Sequence, residues 1–314
     1  MPILYDRALA AFKIETTPGV DANPTDADLL LVDDPQFSAD ITFIERPMSS
    51  LDLSNFKKRP GRKLAKVTFK HEARGNGATA FANTVPMLGR LLRACGMAET
   101  IVNTPRRIEY TPATVNQTTA TLYVYYDGLL HKLTGCQGDW SFEGTAGGLG
   151  HFTFTFTGNY ADPTPAAFPT VSPSEQSIDP PIIENAGFSV AGNTGLVISK
   201  FSMAMANTVA QRDNVNAAAG FQGLFISARA PTMGFDPEMV LEATHPFWAS
   251  MSGGTEVAMT ALINGGAGNS VQFDAPKVQY TALGYQNRNT IRAYQVSCVL
   301  NRNTGNDELK ITLK

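Results

Sequence analysis

The chain has 314 residues, enough for two domains of ordinary size, and its 43% hydrophobic content can fill a core in each, which excludes a disordered protein. Only 17% of the residues are charged, so much of the surface has to be Thr, Ser, Asn, Gly or a partner subunit, a composition suited to a protein that works in an assembly. A formal net charge of −3 gives no global attraction for phosphates and disfavours a dedicated nucleic-acid binder.

In chain order, the N-terminal segment MPILYDRALAAFKIETT has an early acidic residue and no apolar stretch of signal-peptide length, and no 18 uncharged apolar residues run together. The reading is a soluble chain made in the cytosol, with no membrane partner. An acidic, Pro-punctuated arm follows, with Asp21, Asp26, Asp28, Asp33 and Asp34. These lack the spacing and central glycine of a calcium loop and read as a solvated arm.

Alternation then dominates. A strand around Ile41 to Glu45 leads into the basic run Lys57-Lys58-Arg59-Pro60-Gly61-Arg62-Lys63 and into Leu64-Ala65-Lys66-Val67-Thr68-Phe69-Lys70, whose apolar and polar residues change places at every step. The basic run therefore reads as the tip of a long hairpin. A helix follows, with Thr84 as cap, Pro86 in the first turn, Val85, Leu88, Leu91, Leu92 and Cys95 on one face, and Gly96 as the stop. Arg90 and Arg93 fall off that face and read as solvated charges. Asp127-Gly128 between two alternating runs predicts a tight hairpin. Gly144 to Gly150 opens the strand Phe152-Thr153-Phe154-Thr155-Phe156-Thr157 rather than a helix, which makes it a turn and not a phosphate loop.

The second half repeats this order. Thr244-His245-Pro246-Phe247-Trp248 restates Thr84-Val85-Pro86-Met87-Leu88, a strand at Leu224 to Arg229 stands for Leu64 to Lys70, Asn264-Gly265 for Asp127-Gly128, and Ala293 to Val299 for Phe152 to Thr157. Four elements in one order predict duplication. The expected organisation is a first domain over residues 1–161, a Pro-rich surface linker over 162–187 and a second domain over 188–314.

Chemistry is sparse. His71, His131, His151 and His245 share no metal-ligand spacing, and His71-Glu72 reads as the wet end of a strand. Cys95, Cys136 and Cys298 are odd in number and far apart, which reads as reduced and structural. No nucleophile elbow, HExxH or Cys/His frame occurs. The expectation is a protein that is not an enzyme, with no catalytic residue, cofactor or metal.

Several blocks resemble one family. Ala11-Phe12-Lys13-Ile14-Glu15-Thr16-Thr17-Pro18-Gly19-Val20-Asp21-Ala22-Asn23-Pro24-Thr25 is similar to the opening of siphophage-type tail tube proteins. Leu91 to Glu99, Tyr125 to Gly135 and Phe154 to Tyr160 resemble later blocks in the same order. The resemblance implies a mainly β fold of two tandem antiparallel sandwich or barrel domains, each with a flanking helix. It implies virion rings, three chains each, whose sheets join into an inner barrel, with tape measure protein and DNA in the lumen and tail terminator and baseplate proteins at the ends. It further implies that the loop at residues 53–62 reaches a neighbouring subunit or ring. Leu53, Phe56, Lys57, Lys58 and Arg59 combine apolar and basic groups suited to a partner's apolar notch rimmed by acids. The competing expectations are a receptor- or carbohydrate-binding sandwich of a baseplate or fibre, a tail terminator or hub on the same fold, and a contractile-type tube.

Overall fold

The computed structural model describes residue 4 and residues 7–77, 85–170, 173–217 and 219–314. In chain order the first half carries β1 (Ala8–Ile14), β2 (Leu29–Leu30), β3 (Asp33–Ile44), β4 (Arg59–Glu72), α1 (Met87–Ala94), β5 (Met97–Asn103), β6 (Arg106–Pro112), β7 (Ala120–Tyr126), β8 (Leu129–Thr145) and β9 (His151–Tyr160). After β10 (Thr164–Pro165) come β11 (Ser189–Val190), β12 (Ile198–Ala204), β13 (Thr208–Asp213), β14 (Phe221–Ala228), β15 (Thr232–Pro237), α2 (Phe247–Gly253), β16 (Glu256–Ile263), β17 (Val271–Arg288), β18 (Ile291–Leu300) and β19 (Lys310–Leu313). The fold is mainly β, as expected.

The pairings place eight of these strands in one antiparallel inner sheet, β3-β4-β9-β8-β12-β15-β18-β17. Period-two alternation gives this sheet two unlike faces. Val67, Phe69, Phe152, Phe154, Phe156, Phe201, Met203, Phe235 and Val296 are buried on one face. Lys66, Ser141, Glu143, Ser202, Gln295 and Ser297 are exposed on the other.

The apolar face is covered by two outer sheets and the helices. The first outer sheet runs β2-β1-β7 and on to the N-terminal half of β8 and β10. The second runs β5-β6-β19, then the N-terminal half of β17, then β16 and β11. Helix α1 buries Leu88, Leu91 and Leu92 completely, with Pro86 leading in and Gly96 at φ +78° ending it. Thr84, the expected cap, lies outside the described residues. Helix α2 likewise starts after Pro246 and ends at Gly254, φ +65°.

The core does not stop at the boundary between the halves. The Phe142 ring lies 5.2 Å from Phe201 and 4.7 Å from Phe273, and Phe152 lies 6.0 Å from Phe273. Two seams join the halves: β8 pairs with β12 in the inner sheet, and C-terminal β19 bridges β6 to β17 in the outer one.

Several expectations need correction. Leu224 to Arg229 does not precede the second helix in the sheet; most of it lies in β14, paired with β13 in a separate hairpin, and β15 takes that place. Asn264-Gly265 opens a longer connection between β16 and β17, whereas Asp127-Gly128 forms the tight turn, with Gly128 at φ +95°. Arg90 bonds Asp28 at 2.8 Å and Arg93 lies 3.7 Å from Glu99, so neither is a free surface charge. His71 is buried, not wet. The acidic arm is solvated only in part: Asp26, Asp33 and Asp34 are exposed, but Asp28 is 6% exposed and Asp21 accepts from the Tyr123 hydroxyl at 2.5 Å. Among the described residues of 162–187 most are exposed, and the stretch is tied to the body where β10 pairs with β8, Ile182 bridges Leu149 and Ile183 enters the core.

Candidate assembly interface

A sheet edge exposes backbone N–H and C=O groups, and proteins normally shorten, cover or charge such edges. Among the described residues the inner sheet has two long edges with ladder partners on one side only. At one end β3 pairs with β4 alone. At the other, β16 leaves β17 at Gln279, so residues 281–288 pair with β18 alone.

Both edges carry apolar side chains that the monomer leaves open. On β3, Phe43 is 58% exposed and Ile41 is half-buried. On β17, Tyr285 is 61% exposed, with its ring 5.5 Å from Tyr294 and 5.9 Å from Trp248. Arg288, at the end of that edge, is held by Asp236 at 3.5 Å and Glu238 at 2.9 Å. Asp236 is itself buried and accepts from the Ser199 and Lys200 amides at 3.0 and 2.7 Å.

The β3–β4 ladder ends at Ile44↔Arg59, and residues 45–58 project beyond it as a loop. The Ser50 hydroxyl and the Ser54 amide bond to Asp52, and the Ser54 N–H holds the Asp52 carboxyl below its ordinary value. Lys58 bonds Glu45 at 2.6 Å across the loop base and lowers the Glu45 pKa. Leu51 and Leu53 are fully exposed, Met48 is 60% exposed and Phe56 is 41% exposed. Of the expected contact residues, Leu53, Phe56, Lys57 and Lys58 share this loop, while Arg59 is the first residue of β4. The edge of β17 was missed, although Ala282, Gly284, Gln286 and Arg288 alternate with Leu283, Tyr285 and Asn287 there.

The corresponding stretch of the second half, between β12 and β15, forms the β13–β14 hairpin and lies against the first half. Phe221 and Leu224 pack on Leu64, Gln117 exchanges hydrogen bonds with the Ile226 backbone at 2.9 and 3.0 Å, and Arg62 reaches Asp213 at 3.2 Å.

The polar face of the inner sheet mixes charge. Lys66, Lys70 and Lys200 interleave with Asp40, Asp139 and Glu143 among Thr68, Thr153, Thr155 and Thr157. Burial raises the Asp139 carboxyl above its ordinary value, against the Asn207 amide that bonds it.

Among the described residues no group of three or more His, Cys, Asp or Glu could hold a metal, and no helix is long and apolar enough to cross a membrane. The three cysteines are free and buried. In the cleft lined by Asp274, Asp307 and Lys310 the polar groups bond one another: Asp274 takes Thr260 at 2.8 Å, and Asp307 takes the backbone amides of residues 303–305. Against its desolvation, four bonds from the Asn303, Thr304 and Gly305 amides and the Thr304 hydroxyl pull the Asp307 carboxyl down strongly.

Residues 6–295 match the model of a family described as phage tail tube protein. No curated protein matches the chain.

Proposed function

Because the chain belongs to the phage tail tube protein family, we propose that it polymerises into stacked rings of three chains, whose inner sheets close into one barrel that conducts the genome of a long-tailed phage. The observation that carries this reading is the inner sheet itself: polar on one face, apolar on the other, and open at both ends. Eight strands per chain give about 24 in a ring of three. At a spacing of about 4.8 Å and a tilt near 40°, the backbone diameter is about 48 Å, leaving about 35–40 Å inside the side chains, wide enough for a duplex. The polar face would line that lumen. Its interleaved Lys, Asp and Glu give no continuous basic track, so phosphates slide rather than bind with salt-sensitive affinity.

On this reading the chain is a tandem duplication over residues 1–161 and 188–314, so that three chains present six similar units. The loop at residues 45–58, with Leu53, Phe56, Lys57 and Lys58 and with Arg59 at its base, is the contact to a neighbouring subunit or ring. Tape measure protein and DNA share the lumen, tail terminator and baseplate proteins cap the ends, assembly takes place in the host cytoplasm, and the role involves no turnover chemistry. Electron cryomicroscopy of purified protein at high concentration tests it. Hollow tubes with threefold symmetry are expected, whereas discrete particles of fixed size would overturn the polymer and point to a receptor-binding, terminator or hub role.

A further inference from the structure

The chain already contains one example of how two of its units join. In the inner sheet, β8 of the first half pairs with β12 of the second in the register Glu143↔Ser202 and Ser141↔Ala204. The two halves are built on matching ladders. Strands β9 and β18 are ten residues each, and both run from the pair next to a hairpin turn, Glu143↔His151 or Arg288↔Ile291, to a far pair, Leu133↔Tyr160 or Val278↔Leu300. Aligning these pairs puts Val296 at the place of Phe156, and hence Phe235 at the place of Val67. The next ladder then puts Phe201 and Ser202 of β12 at the places of Phe37 and Ser38 of β3. On the other side, Gln286 and Arg288 of β17 occupy the places of Ser141 and Glu143 of β8.

The equivalent residues differ in burial as one side of a filled seam differs from one side of an empty one. Phe201 and Met203, on the filled seam, are 4% and 2% exposed, with Phe201 packed on Phe142 across it as well as on Phe188 and Phe273 of its own half, while Phe37 is only half-buried and Ala39 is exposed. Trp140 is 1% exposed, while Tyr285, at its place, is 61% exposed.

We infer that β3 of one chain pairs antiparallel with the 282–288 edge of a second copy, in the register Ser38↔Arg288 and Asp40↔Gln286. The same register sets Ile41 against Tyr285 and Phe43 against Leu283 on the apolar side, and it continues the polar face unbroken across the join. The seam rests on the polymer reading for its context, but its register comes from the chain's own β8–β12 join.

Disulfide trapping tests the register. Directly opposed residues of an antiparallel pair place their Cβ atoms about 4.5–5.5 Å apart, within reach of a disulfide after small backbone adjustment. The three native thiols are buried and do not compete. Asp40→Cys with Gln286→Cys, assembled and mildly oxidised, is expected to yield covalent trimer as the largest major product. Either single variant is expected to stay monomeric on a denaturing gel. Ser141→Cys with Ala204→Cys, the intrachain counterpart, is expected to close within one chain without change of mass and shows that the chemistry works at this geometry. Asp40→Cys with Ala282→Cys, four residues out of register, is expected not to cross-link. Tyr285→Asp is expected to keep the monomer's melting curve and to lose assembly. Tubes by microscopy without trapping at Gln286, preferential trapping at Ala282, or intact assembly of the Tyr285 variant overturns the seam and leaves the polymer reading standing. Trapped trimers without tubes keep the seam and overturn the stacking. Absence of both overturns both.

Discussion

Gly89 shows how a single position can oppose local preference. It sits inside α1, where alanine is favoured over glycine by about 1 kcal/mol. A Cβ there would lie 1.9 Å from the Tyr110 hydroxyl and 2.6 Å from its ring, and that hydroxyl is fixed by a 2.8 Å bond to Glu99. Overpacking costs about 1–3 kcal/mol, so the clash outweighs the propensity and Gly89→Ala should destabilise the monomer. Leu91, completely buried on the same helix, should lose about 2–5 kcal/mol on truncation to alanine. Urea unfolding of both variants checks the pair; an unchanged midpoint for Leu91→Ala would mean that the helix does not hold the sheet. His131 and His245 make stability depend on pH. Burial lowers both imidazoles, against a rise from Glu242 at His245, whose Nε2 lies 2.9 Å from the Tyr280 hydroxyl. The unfolded chain binds protons near 6.5 while the folded one stays neutral to lower pH, so stability is complete above that value and is lost as pH falls through the window beneath it. Unfolding between about pH 7.5 and about pH 5.5 should show the loss, and a His131→Gln, His245→Gln double variant should flatten it. An equal fall in the double variant assigns the dependence elsewhere.

At the scale of elements, the loop at residues 45–58 and the β13–β14 hairpin fill equivalent places with opposite outcomes. The hairpin finds Leu64 and Gln117 inside its own chain, whereas Leu51, Leu53 and Met48 stay mostly exposed. Removing residues 48–56 should leave the β3–β4 ladder and the circular dichroism spectrum intact while abolishing polymer in sedimentation. A deletion protein that still pellets as tubes shows that the loop is not a connector. Charge reversal at Lys57 should be milder, since rim charges act mainly on association rate and salt dependence. What could be read from sequence at this scale was whatever has a local cause. The Phe152 to Thr157 alternation needs only one wet and one dry face, and the Asp127-Gly128 turn needs only a residue that accepts φ +95°. Leu224 to Arg229 also has a strand pattern, yet its partner is β13 and its support is Leu64, and neither choice is written in the segment itself. Leu53 to Lys58 lie in the exposed tip, but the basic run read as the tip continues into β4 from Arg59 to Lys63, so the loop at residues 45–58 was legible only in part. The β8–β12 join and the β17 edge were not, since pairing between distant strands has no local signature.

For the whole molecule, the continuous core decides how the halves behave. Phe142 packs on Phe201 and Phe273, and β19 takes partners from both halves, so the main core is shared between the halves, beside a small cluster of Ala11, Leu29, Tyr123 and Leu130 inside the first. Calorimetry of the monomer should show one transition, and residues 1–161 made alone should aggregate or unfold, because Phe142, Ile108 and Tyr110 lose their cover. Two separated transitions, or a stable soluble first half, would contradict this. The merging of the cores was not legible in the sequence, because it depends on which rings meet across the join. The strand β19 has one more consequence. It backs the join inside each chain with a second layer, through β6 and β17, and α2 runs into β16 with no counterpart of the β5–β6 arm to receive such a strand from a neighbour. A ring of three such chains would therefore alternate doubly backed and singly backed joins. Bent or stretched, the tube would gape along three lines rather than six, and its elastic response would carry the symmetry of the chains instead of the near-sixfold symmetry of its outline.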